Sequence, residues 1–117
     1  MSETELVTSI LGALALEPGV IAWRNNTGVA RFHGSTIRYG LGVGSPDIIA
    51  IVGPHGRLVG LEAKTERGKQ SQAQKIWQAA VEEHGGYYDV VRTVLEAVGA
   101  VRAARVRPRD WNPWGRK

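Results

Sequence analysis

Two short segments hold residue types suited to phosphate chemistry: Ser45-Pro46-Asp47 and Glu62-Ala63-Lys64. Asp47 opens an apolar run, Ile48-Ile49-Ala50-Ile51-Val52, and Glu62 closes another, Leu58-Val59-Gly60-Leu61. Between them Gly53-Pro54-His55-Gly56 is a turn by composition. The runs read as paired strands whose open ends bring Asp47, Glu62 and Lys64 to one edge of a sheet. Side chains two apart on a strand share a face, so Glu62 and Lys64 point together while Val59, Leu61 and Ala63 point the other way. Hydrolysis of a phosphodiester at neutral pH needs a divalent cation, a rigid pair of carboxylates to hold it, and a cationic group beside the reacting centre. Magnesium favours oxygen ligands and keeps several of its waters. Asp47, Glu62 and the Ala63 carbonyl fit the metal-holding role, and Lys64 fits the cationic one.

The elements that must position these residues follow from the apolar patterning. A first helix is expected from Glu3 to about Leu16, with Ser2 and Glu5 as a capping box and Leu6, Ile10, Leu11 and Leu14 as its apolar stripe. Glu3 falls on the inward side of that stripe. It reads either as a further acidic group for the metal or as a first-turn acid complementing the helix dipole. Pro18-Gly19 ends the helix, and Val20 to Trp23 is a short strand.

Val29–His33 and Thr36–Tyr39 are expected as a hairpin around Gly34-Ser35, a glycine-first loop of type II′. That register pairs Arg31 with Arg38 and Phe32 with Ile37. Like charges across a ladder repel, and a bound phosphate would relieve the repulsion; the alternative is that both side chains splay into water. Gly40-Leu41-Gly42-Val43-Gly44 then leads to Asp47. It is neither a P-loop nor a dinucleotide fingerprint, because no G-K-[ST] follows and a strand comes next.

A second helix is expected from Ser71, with Gln74 completing a capping box and Ala73, Ile76, Trp77, Ala80, Val81 and His84 on one face. Gly85-Gly86 ends it before the strand Tyr87–Val91. Thr93 and Glu96 open a third helix that Pro108 must terminate. Trp23 and Trp77 lie in apolar patterns and read as core residues. Arg24, Asn25 and Lys69 are candidate contacts to a phosphate backbone, with turn formation as the other role for Asn25. The expected order, α-β-(ββ)-β-β-α-β-α, is an α/β class with a mixed sheet flanked by helices.

At 117 residues the chain suits one domain, expected over 1–107, with a basic, tryptophan-containing tail at 108–117. There is no cysteine, which excludes disulfides and thiolate-ligated zinc. No signal peptide and no membrane-spanning apolar run is evident, so a cytoplasmic protein with no membrane partner is expected. The net charge is +4, but residues 1–91 carry a net −1 and residues 92–117 a net +5. That asymmetry points to a polyanionic partner or to a solubilising tail.

Pro46-Asp47 followed by Glu62-Ala63-Lys64 resembles the PD-(D/E)XK nuclease pattern. Glu3 to Val7, Arg24 to Gly28, Gly42 to Asp47, Gly68 to Gln74, and Gly85-Gly86-Tyr87 narrow the resemblance to the VRR-NUC group, in particular its small standalone phage and bacterial members. It covers residues 3 to about 98. It implies a structure-selective DNA endonuclease using Mg²⁺ or Mn²⁺, acting on branched or flapped DNA and often homodimeric, as in Holliday-junction resolvases. By position it makes Asp47 and Glu62 metal ligands, Lys64 the catalytic lysine, Glu3 the helix-1 glutamate and Gln74 a glutamine near the active site. Two alternatives stay open from the residues themselves: a non-catalytic nucleic-acid-binding module with this fold, and an enzyme acting on RNA or on a small phosphodiester.

Overall fold

The computed structural model describes residues 1–106, so the tail expected at 108–117 lies outside the described residues. Its elements are α1 (Glu3–Leu14), β1 (Val20–Arg24), β2 (Gly28–Phe32), β3 (Ser35–Tyr39), β4 (Ile48–Val52), β5 (Arg57–Ala63), α2 (Gln72–Glu83), β6 (Tyr87–Val91) and α3 (Val94–Ala104). Four strands form one mixed sheet in the order β1-β4-β5-β6. β4 pairs antiparallel with both β1 and β5, and β6 joins parallel to β5 after the α2 crossover. No helix among the described residues is long and apolar enough to cross a membrane.

The helices divide between the two faces of this sheet. α1 and α3 pack on one face, where Leu6, Val7, Ile10 and Leu14 of α1 meet Ile48, Ala50 and Val52 of β4 and Val59, Leu61 and Ala63 of β5. α3 contributes mostly small residues to this core, Ala97, Ala100, Val101 and Ala104, so its backbone can lie close to its neighbours. Ser2 caps α1 by accepting from Glu5 N–H at 3.1 Å, but the reciprocal half of the expected box is absent: the Glu5 carboxylate takes the Ser2 hydroxyl instead. Thr93 likewise caps α3 through Glu96 N–H, while the Glu96 carboxylate accepts from Arg92 N–H at 2.8 Å.

The opposite face is only half covered. α2 lies against β5 and β6, and the alternating row Ile21, Ile51 and Leu58 across β1, β4 and β5 remains exposed. This corrects two expectations. Trp23 belongs to this open face and is 44 % exposed, not a core residue. Of the stripe assigned to the second helix, only Val81 is buried, with Ile76 60 % exposed and Trp77 half-buried. The amphipathic pattern is real, but the helix has only the β5–β6 half of the sheet to sit on.

β2 and β3 pair only with each other, forming a separate two-stranded ribbon between β1 and the glycine-rich segment. Its register differs from the expected one. His33 adopts φ 48° and Gly34 φ 77°, so the loop is His33-Gly34, with the two positive φ values of a type I′ turn. The loop therefore begins one residue earlier and the partners shift: Arg31 faces Thr36, and Arg38 faces Val29. The arginines are not directly opposed. They share one face as diagonal neighbours, with Phe32, Ile37 and Tyr39 exposed on the other.

Candidate functional site

The site forms where β4 begins and β5 ends. The register Ile48↔Leu61 sets Asp47 beside the Glu62-Ala63 step. Asp47 Oδ2 accepts the Ala63 N–H at 2.8 Å, which fixes the carboxylate against the end of β5. Asn25, at the end of β1, holds the approach to Asp47. Its Nδ2 donates to Ser45 Oγ at 2.9 Å and to the Pro46 carbonyl at 2.8 Å, and its backbone N–H donates to the Asp47 carbonyl at 2.8 Å. Its side-chain donors are thus engaged in positioning the Pro46-Asp47 step. Between the two roles considered for Asn25, loop formation is the one it performs in this structure.

Glu62 is buried, only 2 % exposed, and its Oε2 has no hydrogen-bonding partner. Burial, the adjoining Asp47 carboxyl and, more weakly, the charge of Glu3 push its carboxyl up to about 9, while Lys64 pulls it down. Two carboxyls so close cannot both ionise readily without a cation. Lys64 is half-buried directly after β5, close enough for its charge to act on Glu62. The loop after β5 folds over its stem, because a Cβ at Gly68 would lie 3.2 Å from Lys64 Cδ. Arg92 supports that loop by donating to the Thr65 and Glu66 carbonyls.

The glycine-rich segment is seated against α2. Trp77 Nε1–H donates to the Val43 carbonyl at 3.1 Å. Gly44 has φ +86°, and a Cβ there would come within 2.7 Å of Ala73. Gly44→Ala is therefore expected to lower stability by about 2 kcal/mol through left-handed strain and overpacking. Gly12→Ala, in open space within α1, should raise it by roughly 0.5–1 kcal/mol. Parallel urea melts decide this, and equal midpoints for the two variants would count against the close approach of loop and helix.

The remaining sequence-predicted residues divide clearly. Glu3 sits exposed in the first turn of α1, not inward, yet its charge reaches Glu62. Gln74 Oε1 accepts the Ser71 N–H at 2.7 Å, so the capping role it was given is present. Arg24 and Lys69 are exposed, and Arg31 and Arg38 are exposed on the ribbon. One residue was missed: Tyr88 of β6, buried beneath the site with an unpartnered hydroxyl.

Among the described residues no group of three or more His, Cys, Asp or Glu side chains is arranged to hold a metal ion. The donor set is smaller: Asp47, Glu62 and the Ala63 carbonyl. It nevertheless suits a hard cation that keeps part of its water shell, because a buried carboxylate oxygen without a partner beside a second carboxylate is the kind of group a cation or one of its waters satisfies. No protein-family model matches the chain, and no curated protein matches it.

Proposed function

We propose that this chain is a metal-dependent nuclease of the PD-(D/E)XK type, close to the small VRR-NUC proteins, that hydrolyses phosphodiester bonds in branched or flapped DNA. The observation that carries this reading is the joined pair Asp47 and Glu62. One carboxylate is tied to the Ala63 N–H, the other is buried with an unsatisfied oxygen, and the Lys64 charge acts on that buried carboxyl. Mg²⁺ or Mn²⁺ bound there would neutralise developing negative charge and activate a water. Asp47 and Glu62 supply the fixed negative charge, and the Ala63 carbonyl supplies a further oxygen. Lys64 both offsets the two carboxylates and offers an ammonium to a scissile phosphate.

The ribbon supports a polymeric substrate. It leaves the body between Asn25, which positions the Pro46-Asp47 step, and the glycine-rich segment that leads into that step. A nucleic acid held on its Arg31/Arg38 face would be bound to a ribbon whose two ends join the segments that position Asp47. A two-stranded ribbon also has the dimensions of a DNA major groove. A second copy of the chain is the expected protein partner, and the Ile21, Ile51 and Leu58 row offers it an apolar surface.

The test is a panel of labelled linear, flap, splayed and four-way DNAs, with an RNA counterpart, incubated with Mg²⁺ or Mn²⁺. We expect cleavage of one or more branched DNAs, lost in Lys64→Ala. Replacing both Arg31 and Arg38 with Ala should weaken binding across all sequences and flatten its salt dependence by roughly one to two units of log–log slope. Salt-sensitive junction binding without cleavage in either cation would make the chain a binding module. Cleavage confined to RNA would overturn the choice of substrate.

A further inference from the structure

Two buried side-chain atoms in the described residues have no hydrogen-bonding partner, Glu62 Oε2 and the Tyr88 hydroxyl, and both belong to this one site. β5 and β6 run parallel in the register Gly60↔Tyr88 and Glu62↔Val90, so Tyr88 and Glu62 rise from the same face of neighbouring strands. Gly60 makes room for the phenol ring. A Cβ at that position would come 2.8 Å from Pro46 Cγ and 3.2 Å from Tyr88 Cδ2. The ring is thus packed beside Pro46, the residue before Asp47, as part of the floor under the two carboxyls. Gln70 lies near the hydroxyl and lowers its pKa, but makes no hydrogen bond to it; one of the two Gln70 Nε2 hydrogens goes to Gln78 Oε1 at 2.9 Å.

A hydroxyl buried without a partner is destabilising, and a carboxylate oxygen in the same condition is more so. Two such atoms in separate parts of a protein would be two unrelated defects. Here they rise from the same face of neighbouring strands, and the charges of Glu62 and Asp47 are both felt at the Tyr88 phenol. A single small polar ligand would satisfy both atoms. Water has the right size and can donate to the carboxylate oxygen while exchanging a hydrogen bond with the hydroxyl.

We propose that Tyr88 is a positioning residue whose hydroxyl, together with Glu62 Oε2, holds one water of the hydrated divalent cation gathered by Asp47 and Glu62. This rests on the metal-dependent reading above and extends it to a residue of β6. Tyr88 acts through the water and touches neither substrate nor the reacting phosphate. Loss of an outer-sphere partner of this kind weakens metal binding by about 10-fold.

Tyr88→Phe in the full chain tests the assignment with two readouts independent of cleavage. The first is the metal-free melting temperature. The second is Mn²⁺ affinity by calorimetry, with Asp47→Asn titrated alongside. Removing a hydroxyl that has no protein partner should hold or raise the metal-free melting temperature while weakening Mn²⁺ binding by about 10-fold. Unchanged Mn²⁺ affinity in Tyr88→Phe overturns the proposal, whatever the melting temperature does. Weaker binding accompanied by a lower metal-free melting temperature also counts against it, because the hydroxyl would then have a structural partner. If Asp47→Asn binds Mn²⁺ as tightly as the unaltered chain, or neither binds it, the metal reading fails and the Tyr88 role with it. If Asp47→Asn loses Mn²⁺ while Tyr88→Phe does not, only the Tyr88 role falls.

Discussion

Asp47→Asn is expected to reduce Mg²⁺-dependent cleavage by on the order of 10²–10³-fold while leaving the fold intact. The choice of asparagine follows from the hydrogen bond between Asp47 Oδ2 and the Ala63 N–H. An asparagine Oδ1 can still accept that N–H, so the variant removes the charge and keeps the strand end. Alanine would remove both, leaving a buried N–H without a partner at a cost of about 1–3 kcal/mol. A loss of activity in Asp47→Ala would then mix chemistry with local unfolding. Lys64→Ala should fall by a similar factor for a different reason, since it deletes the ammonium whose charge acts on the carboxyl pair and leaves their mutual repulsion less compensated. Single-turnover cleavage, paired with circular dichroism of each variant, separates the two effects. Undiminished cleavage in both Asp47→Asn and Lys64→Ala would remove the basis for placing the chemistry here.

What could be read from the chain before its structure divides along the range of the interactions involved. The strand alternation that places Glu62 opposite in sense to Leu61 and Ala63 is local, and it was legible from period-two patterning alone. So was the neighbourhood of Asp47 and Glu62, because a short antiparallel connection leaves little choice of register. The ribbon register was not legible. It turns on whether His33 enters the left-handed region, which composition leaves open for a histidine before a glycine. The exposure of Trp23 and Ile76 was hidden for another reason. An apolar stripe shows that a face exists, but not that another element is long enough to cover it. Tyr88 is the clearest case. Its place under Glu62 depends on β6 joining β5 in parallel after a helical crossover, a long-range pairing with no signature in the residues around it. Only after that pairing is known does the alternation put Tyr88 and Glu62 on one face.

Glu62→Gln should make the metal-free protein more stable at alkaline pH, by an amount of order a few kcal/mol near pH 9 and little near pH 5. Burial is the main cause that raises the Glu62 carboxyl from its ordinary value of 4.5 to about 9, with the Asp47 carboxyl second. Between those two values the folded chain holds a proton that the unfolded chain has released. More protons bound in the folded state means that stability declines as pH rises, so the contribution of the protonated carboxyl is complete below about pH 4.5 and is lost on passing through about pH 9. Glutamine is neutral at every pH and removes this slope. Divalent cation reverses the sign for the unaltered chain: metal favours the ionised carboxylate, so the stabilisation gained on adding Mg²⁺ should grow with pH and be accompanied by proton release. Glu62→Gln should show neither the slope nor the growing response. Urea melts in chelator and in Mg²⁺ across this range decide the matter. A metal-free unaltered chain whose stability is flat from about pH 5 to pH 9 would mean that Glu62 is solvated, and a solvated Glu62 would take with it the argument that this site is built around a carboxylate waiting for a cation.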